Sequence, residues 1–416
     1  MKDFLGRASY YLAFASAASI LFSIAISQIL LATALAFLLL SGHPLRFPPV
    51  RPPLAAFFLI TLASLLSSPD PRAGIPQLRK FFVFAILLVL DTTIESLPQI
   101  RKLVYAWSAI ALLSAMQSIV QFLHRRHEAA SYEFLLDGRI TGFASHWMTF
   151  GGEEMVVALM LASFLLFAER RPLKMAGWPV LGVLIAAIIL GMTRCIFLLG
   201  LPAGLIYLLF RRRPVLLLAA IAVAATVAAT APRAIRQRAI STFRPHGEMD
   251  SNAHRALCRL VGWQMVKAHP WLGLGPEQVG KQFTRFIPPS VPRPLPRGWY
   301  GHLHNIYLQY AAERGVFGLL AILWLIGRAA FDFLRYLRLP KLNPHVKAIL
   351  HGAIAVIVAV LAEGLFEYNL GDSEVLTMFL SVIACGYAAI RVSPRSQALI
   401  ALQTPAAIQS LANFRR

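Results

Sequence analysis

Stretches of roughly 17–25 consecutive apolar residues recur along this 416-residue chain, and no other feature limits its fold so tightly. Wound as a helix, one such stretch crosses the ~30 Å hydrocarbon layer of a bilayer. Lipid offers no hydrogen bonds to a bare backbone, so spanning segments must satisfy their N–H and C=O groups internally, as helices do. Composition agrees: 57% of residues are hydrophobic, 14% are charged, and mean hydropathy is +0.63. The expected class is an all-α polytopic membrane protein. About twelve spans are read, near 8–24, 26–42, 53–68, 79–94, 103–123, 148–168, 175–192, 195–210, 214–231, 306–327, 348–367 and 373–390. The opening "MKDFLGRASYYLAFASAASILFSIA" has the basic lead and apolar core of a signal peptide. Its apolar run continues to Leu40, however, so a retained helical hairpin is expected.

Cationic residues flanking short loops stay in the cytoplasm. With the N-terminus inside, one side receives Arg46, Arg51, Arg101, Lys102, "ERRPLK" (169–174), "RRR" (211–213), the basic segment 328–347, Arg391 and Arg395. Both ends are then cytoplasmic. The chain divides into spans 1–9 over 1–231, a large external loop domain over 232–304, spans 10–12 over 305–391, and a cytoplasmic tail over 392–416. A net charge of +21 and a pI near 10.7 would suit nucleic acid in a soluble protein. Here they read as topogenic arginine and attraction to anionic lipid, so the expected partners include membrane lipids and no nucleic acid. The external loop carries many arginines, among them Arg238, Arg244 and Arg255. A long loop translocates regardless of charge. Its basicity suits a phosphate-bearing substrate, or simply a solubilising surface against headgroups. Within it, 251–269 has helical spacing, with Leu257, Leu260, Val261, Trp263 and Met265 as an apolar side fit for the membrane interface. "IPPSVPRPLPRG" (287–298) reads as an extended flap. Cys195, Cys258 and Cys385 are scattered, giving neither a metal site nor a disulfide.

The most specific stretch is "GHLHNIYLQYAAERGVFG" (301–318). His304 and Asn305 are followed by nine residues, then Gly315, two more, and Gly318. Arg194 and Leu198 in "GMTRCIFLL" give an Arg-x-x-x-Leu pattern at an outer helix end. "HRALCRLVGWQMVKAHPWLGLGPEQV" places an arginine and a tryptophan before a Pro-Gly turn, and "GLFEYNLGDSEVLTMFL" (364–380) precedes and enters the last span. Together these segments resemble the O-antigen ligase and polymerase superfamily over about 190–390. The resemblance implies a GT-C-like membrane glycosyltransferase of the bacterial inner membrane, its active site facing the periplasm. Its donor would be an undecaprenyl-diphosphate-linked glycan. For the ligases proper, the acceptor would be lipid A–core oligosaccharide and the product lipopolysaccharide. The sequence departs from the family in carrying Thr193 where a serine often precedes the arginine. "RITGFASHWMTFGG" (139–152) also lacks an asparagine-proline.

Elementary chemistry agrees with that implication. An ionisable side chain at a membrane edge is costly unless it faces a cavity or a partner. The span count places Arg139, Arg194, Arg255 and His304 on one side of the membrane. Departure of a lipid diphosphate builds negative charge that fixed guanidinium groups stabilise, and arginine grips phosphate oxygens in pairs. A neutral histidine accepts the proton of the attacking hydroxyl. The expected catalytic residues are His304 and Arg194; Arg139, Arg194, Arg255, His302 and Asn305 are expected to bind substrate. Glu363, Glu367 and Asp372, near the outer end of the eleventh span, are candidate partners for the arginines. One displacement would invert the anomeric centre, with no metal or cofactor required. Plainer readings exist: Asn305 as a helix cap, His302 as an interfacial histidine, Arg194 as a snorkelling anchor, and Gly315 and Gly318 as packing glycines. An O-antigen polymerase or a protein O-oligosaccharyltransferase would use the same donor. A secondary transporter is the rival of another class, although the halves show no repeat.

Overall fold

The computed structural model describes residues 2–128, 132–168, 171–231, 233–242 and 251–393, and every regular element among them is helical. Helices occur at all twelve positions read from the apolar runs. Nine helices among the described residues are long and apolar enough to cross a membrane. Of the other three positions, Lys2–Ser19 carries Lys2, Asp3 and Arg7, while Arg51–Leu66 and Val215–Thr230 stop at 16 residues. The tail from 394 onward, with Arg395, and the loop residue Arg244 lie outside the described residues.

Several helix starts are closed by side chains, because orphan N–H groups near lipid have no water to turn to. Ser23 accepts from the Ile26 N–H, Asp70 from Ala73, Asn343 from His345, Asn305 from Leu308 and Asp372 from Glu374. The helix Trp147–Phe167 is buried along almost its whole length, and Pro344–Glu363 and Ser373–Arg391 pack with it as the centre of the molecule. Small residues bring these helices close. A Cβ on Gly204 would stand 2.6 Å from Leu159 and 3.0 Å from the Ala355 carbonyl. Ser163 donates to the Ala348 carbonyl at 2.7 Å, and Trp107 to that of Ala17 at 2.7 Å. The outer helices expose Ile29, Leu39, Leu40, Leu173 and Met175, the apolar belt expected of a lipid-facing surface.

Two backbone irregularities interrupt the helices. The first is the corner at 191–194, where Met192 has φ 52° before a π-helical turn Cys195–Gly200. The second breaks the long helix Ile306–Leu337 at Gly315, whose φ is 68° and ψ −177°. Breaking the helix frees the carbonyls of Ala312 and Glu313. The "HPWLGLGP" turn fills the gap: Leu274 N–H donates to Ala312 and Gly275 N–H to Glu313, each at 2.9 Å, and Val316 N–H returns a bond to Pro270 at 2.8 Å. A Cβ on Gly315 would lie 1.9 Å from the Trp271 carbonyl. Gly315→Ala therefore combines a backbone region essentially closed to other residues with a backbone clash, at a cost of about 3 kcal/mol or more. The variant is expected to lose its monodisperse elution in detergent. A melting temperature within ~2 °C of wild type would contradict this.

The segment between the ninth and tenth helical positions has its own small core of Leu257, Val261, Met265, Leu274, Val279, Phe283 and Leu303. The helix Ser251–Ala268 rests on it. Its apolar residues do not form one side, as expected from spacing, but two: Leu257, Val261 and Met265 point into this core, whereas Leu260 and Trp263 are exposed. Positions 257, 261 and 265 recur every fourth residue on one face; 260 and 263 fall between them.

Candidate active site

A cavity of about 790 Å³ opens where the ends of the central helices meet the 251–304 segment. Its wall draws on residues from 77–80, 136–148, 251–255, 277–313 and 367–372, and on Arg238. These are the connections and helix ends that the span alternation assigned to a single side. Of the residues expected at a site, Arg139, Arg255, His302 and His304 line this cavity together.

His304 sits at φ 49°, a left-handed conformation uncommon for a residue with a Cβ. Its own N–H donates to His302 Nδ1 at 3.1 Å, and Asn305 immediately starts the helix. The strained backbone turns the ring toward the 364–372 turn, where Nδ1 meets both oxygens of Glu367 at 3.2 Å. A carboxylate only accepts, so Nδ1 carries the proton. The other nitrogen, Nε2, is left as the basic one, 3.4 Å from the Trp299 carbonyl. Two acceptors face each other there until Nε2 takes a proton, which the carbonyl then receives in a hydrogen bond. His302 has the opposite tautomer: its Nδ1 accepts, so its proton lies on Nε2, 3.6 Å from Glu367.

Glu367 is the hub. Burial alone would raise its pKa, but the His304 and His302 imidazoles and the Arg255 guanidinium outweigh burial and hold it well below the usual carboxylate range. Arg255 reaches it at 3.4 Å and also donates to the Phe366 carbonyl at 3.0 Å. Arg139 stacks on Trp147, 4.2 Å from the ring centre, and donates to the Leu136 carbonyl at 3.1 Å; neither contact neutralises its charge. Burial and the nearby Arg238 and Arg255 push Arg139 down to about 9. Arg238 lines the same cavity, its Nε anchored on the Met192 carbonyl at 3.1 Å. Three guanidinium groups thus crowd beside an imidazole–carboxylate pair. Mutual repulsion on that scale is tolerated where an anion belongs.

Arg194 and Asn305, expected to contact substrate, are not among the residues that line the cavity. Arg194 donates to Ser251 Oγ at 2.6 Å, Asn252 Oδ1 at 2.8 Å and Ser241 Oγ at 3.2 Å. It ties the end of Arg233–Ile240 to the start of Ser251–Ala268, the two helices that carry Arg238 and Arg255. Asn305 uses both ends of its amide on backbone, capping Leu308 at 2.8 Å and donating to the Leu365 carbonyl at 2.9 Å. Its neighbours in space are therefore the two segments that bear His304 and Glu367.

Of the three acidic residues expected beside the arginines, Glu367 alone meets one. Glu363 instead accepts from Asn369 at 2.6 Å, and Asp372 caps a helix and accepts from the Thr149 hydroxyl. Among the wall residues that sequence reasoning did not single out are Arg238 and His254. Arg238 looked like one loop cation among many, and His254 had no role of its own within its motif. Both line the cavity, with the His254 ring 5.1 Å from that of His304. The geometry also brings His302, His304 and Glu367 within 4.8 Å of one another, a spacing a divalent cation can bridge. Against that, Glu367 already accepts from Tyr368 N–H and His304, and the three guanidinium groups repel a cation.

Burial, opposed by Glu367 and reinforced by the neighbouring His304 and Arg255, pushes His302 down to about 4; burial, again with His304 and Arg255 beside it, pushes His254 down to about 4. Their ordinary value is 6.5. Between those values the unfolded chain binds more protons than the folded one, so stability falls as pH drops through the window. The melting temperature is expected to fall from about pH 6.5 toward about pH 4, and to fall less in a His254→Gln variant. An unchanged profile in that variant would contradict this burial effect.

Residues 179–323 match the family model described as O-Antigen ligase, which supports the superfamily that the motifs resemble. The matched segment contains Arg194, Arg238, Arg255, His302, His304 and Asn305, while Arg139 and Glu367 lie on either side of it. No curated protein matches the chain.

Proposed function

We propose that the protein is a metal-independent, inverting glycan transferase of the inner membrane, moving an O-antigen glycan from undecaprenyl diphosphate to a sugar hydroxyl of lipid A–core. The cavity then faces the periplasm, and residues 251–304 of the periplasmic domain roof it. One observation carries the reading: the His304–Glu367 pair and the guanidinium groups of Arg139, Arg238 and Arg255 share a single cavity at the mouth of membrane helices.

Each group has a part in one displacement. His304 Nε2 takes the proton of the acceptor hydroxyl, and the hydroxyl oxygen attacks the anomeric carbon. The bond from that carbon to the diphosphate oxygen breaks, and its electron pair leaves with undecaprenyl diphosphate. Arg139, Arg238 and Arg255 meet the charge that builds there, and because they are already fixed, no reorganisation is needed at that moment. Glu367 orients His304 and balances the imidazolium. Arg194 and Asn305 are positioning residues. The rival reading, an O-antigen polymerase, shares all of this and differs in acceptor alone.

Purified protein, given undecaprenyl-diphosphate-linked glycan and lipid A–core, is expected to form glycosylated lipid A–core and free undecaprenyl diphosphate, with EDTA present or absent. Chain extension on the lipid-linked glycan alone would make it a polymerase. Loss of transfer with EDTA would overturn metal independence.

A further inference from the structure

The cavity is larger than a diphosphate requires, falling in the range of roughly 300–1,000 Å³ that holds a whole drug-sized ligand. Its wall is also divided in chemistry. Beside the network of Glu367 and its arginines, and with Lys80 and Arg297 in the lining as well, it also carries Gln77, Glu277, Gln309 and Glu313. These four form one network: Gln77 Nε2 donates to Glu277 Oε1, the Glu277 N–H to Glu313 Oε1 at 3.1 Å, and Gln309 Nε2 to the same Glu313 oxygen at 2.9 Å. Arg314 clamps it from behind, donating to Glu313 Oε2 at 2.6 Å and Gln77 Oε1 at 3.1 Å, without lining the cavity. The Glu277 carboxylate is exposed, and among the described residues it pairs with no lysine or arginine. Lys80, a few residues from Gln77, is turned to the Gly371 carbonyl at 2.8 Å.

Resting on the donor reading above, we infer that this amide-and-carboxylate lobe is the acceptor subsite, selecting a neutral or amino sugar and rejecting a phosphorylated one. Direct displacement puts nucleophile and leaving group on opposite faces of the anomeric carbon. With the diphosphate among the arginines, the acceptor must approach from the other lobe. The Gln77, Gln309 and Glu313 oxygens are already held by Arg314, the Leu303 N–H and one another, so the exposed Glu277 carboxylate is the group that accepts from a sugar hydroxyl and attracts an ammonium, whereas a phosphate meets like charge there. The frame is rigid, since Gln309 and Glu313 lie one turn apart just ahead of the Gly315 break and are closed by a buried cation.

The test uses the full chain in lipid nanodiscs, undecaprenyl diphosphate as donor probe, and trisaccharides differing only in charge: chitotriose, its de-N-acetylated form and its 6-phosphate. Saturation-transfer NMR is expected to rank the amino form first and the phosphate last, separated by about tenfold in affinity. Glu277→Gln should narrow that gap, and Glu277→Lys should reverse it, while retained undecaprenyl diphosphate binding reports that both variants are folded. If wild type binds the phosphate best, or Glu277→Lys leaves the ranking unmoved while undecaprenyl diphosphate still binds, this subsite is wrong and the donor reading stands. If wild type fails to bind undecaprenyl diphosphate, the donor reading falls and takes the subsite with it.

Discussion

His304→Ala is expected to lower kcat for glycan transfer by about a thousandfold, while the protein still inserts, elutes as one species and binds undecaprenyl diphosphate. The size follows from the chemistry removed. A sugar hydroxyl is a poor nucleophile until its proton has somewhere to go, and His304 Nε2 is the basic nitrogen that the Glu367 contact leaves available. Glu367→Gln gives the companion result. An amide can present its NH2 to Nδ1 and draw the ring into the other tautomer, with the proton on Nε2, so kcat should fall by about a hundredfold or more while donor affinity changes little. A structural role for either residue would instead show as lost protein. Wild-type transfer by His304→Ala would remove the base from the account.

The second large effect concerns the donor. Charge-assisted hydrogen bonds from a guanidinium are worth about 1.5–3 kcal/mol each, so Arg139→Ala should weaken undecaprenyl diphosphate binding by one to two orders of magnitude. Its effect on kcat/KM should be larger, because the leaving group carries more charge in the transition state than in the bound donor. Arg238→Lys separates charge from geometry: it keeps the cation but loses the fork and the Nε bond to the Met192 carbonyl. Partial rescue relative to Arg238→Ala is expected. Arg255→Ala is less clean, since it also strips Glu367 of its cation. Donor binding and kcat/KM within ~threefold of wild type in an Arg139→Ala, Arg238→Ala double variant would exclude a guanidinium site.

Much of the fold was legible because lipid enforces simple rules. Apolar runs of spanning length located helices at every expected position, and arginine asymmetry grouped onto one side the loops that now line one cavity. The His-Asn spacing was legible too, and the structure supplies its reason: Asn305 caps the helix, and nine residues later Gly315 breaks it to admit the Trp271–Gly275 turn. Other features were hidden. Glu367 was read as a partner for the arginines, but its pairing with His304, 63 residues away and in no local pattern with it, was not. Arg238 was indistinguishable from its basic neighbours until the corner at Met192 was seen to hold it against the cavity. Conversely, Arg194 and Asn305 carried strong motif signals, but a motif marks a residue as needed without saying whether it touches substrate or braces what does. The helix Ser251–Ala268 was half legible: spacing found its apolar residues, but could not tell a core-facing set from an exposed one on the same short helix.

The most direct test of the central claim is a cryo-electron microscopy map of the protein in nanodiscs with undecaprenyl diphosphate. The account expects the diphosphate in the cavity within about 5 Å of the Arg139, Arg238 and Arg255 guanidinium groups, with His304 Nε2 across the gap where the anomeric carbon would lie. Density for the diphosphate outside this cavity, or at the opposite membrane face, would contradict it.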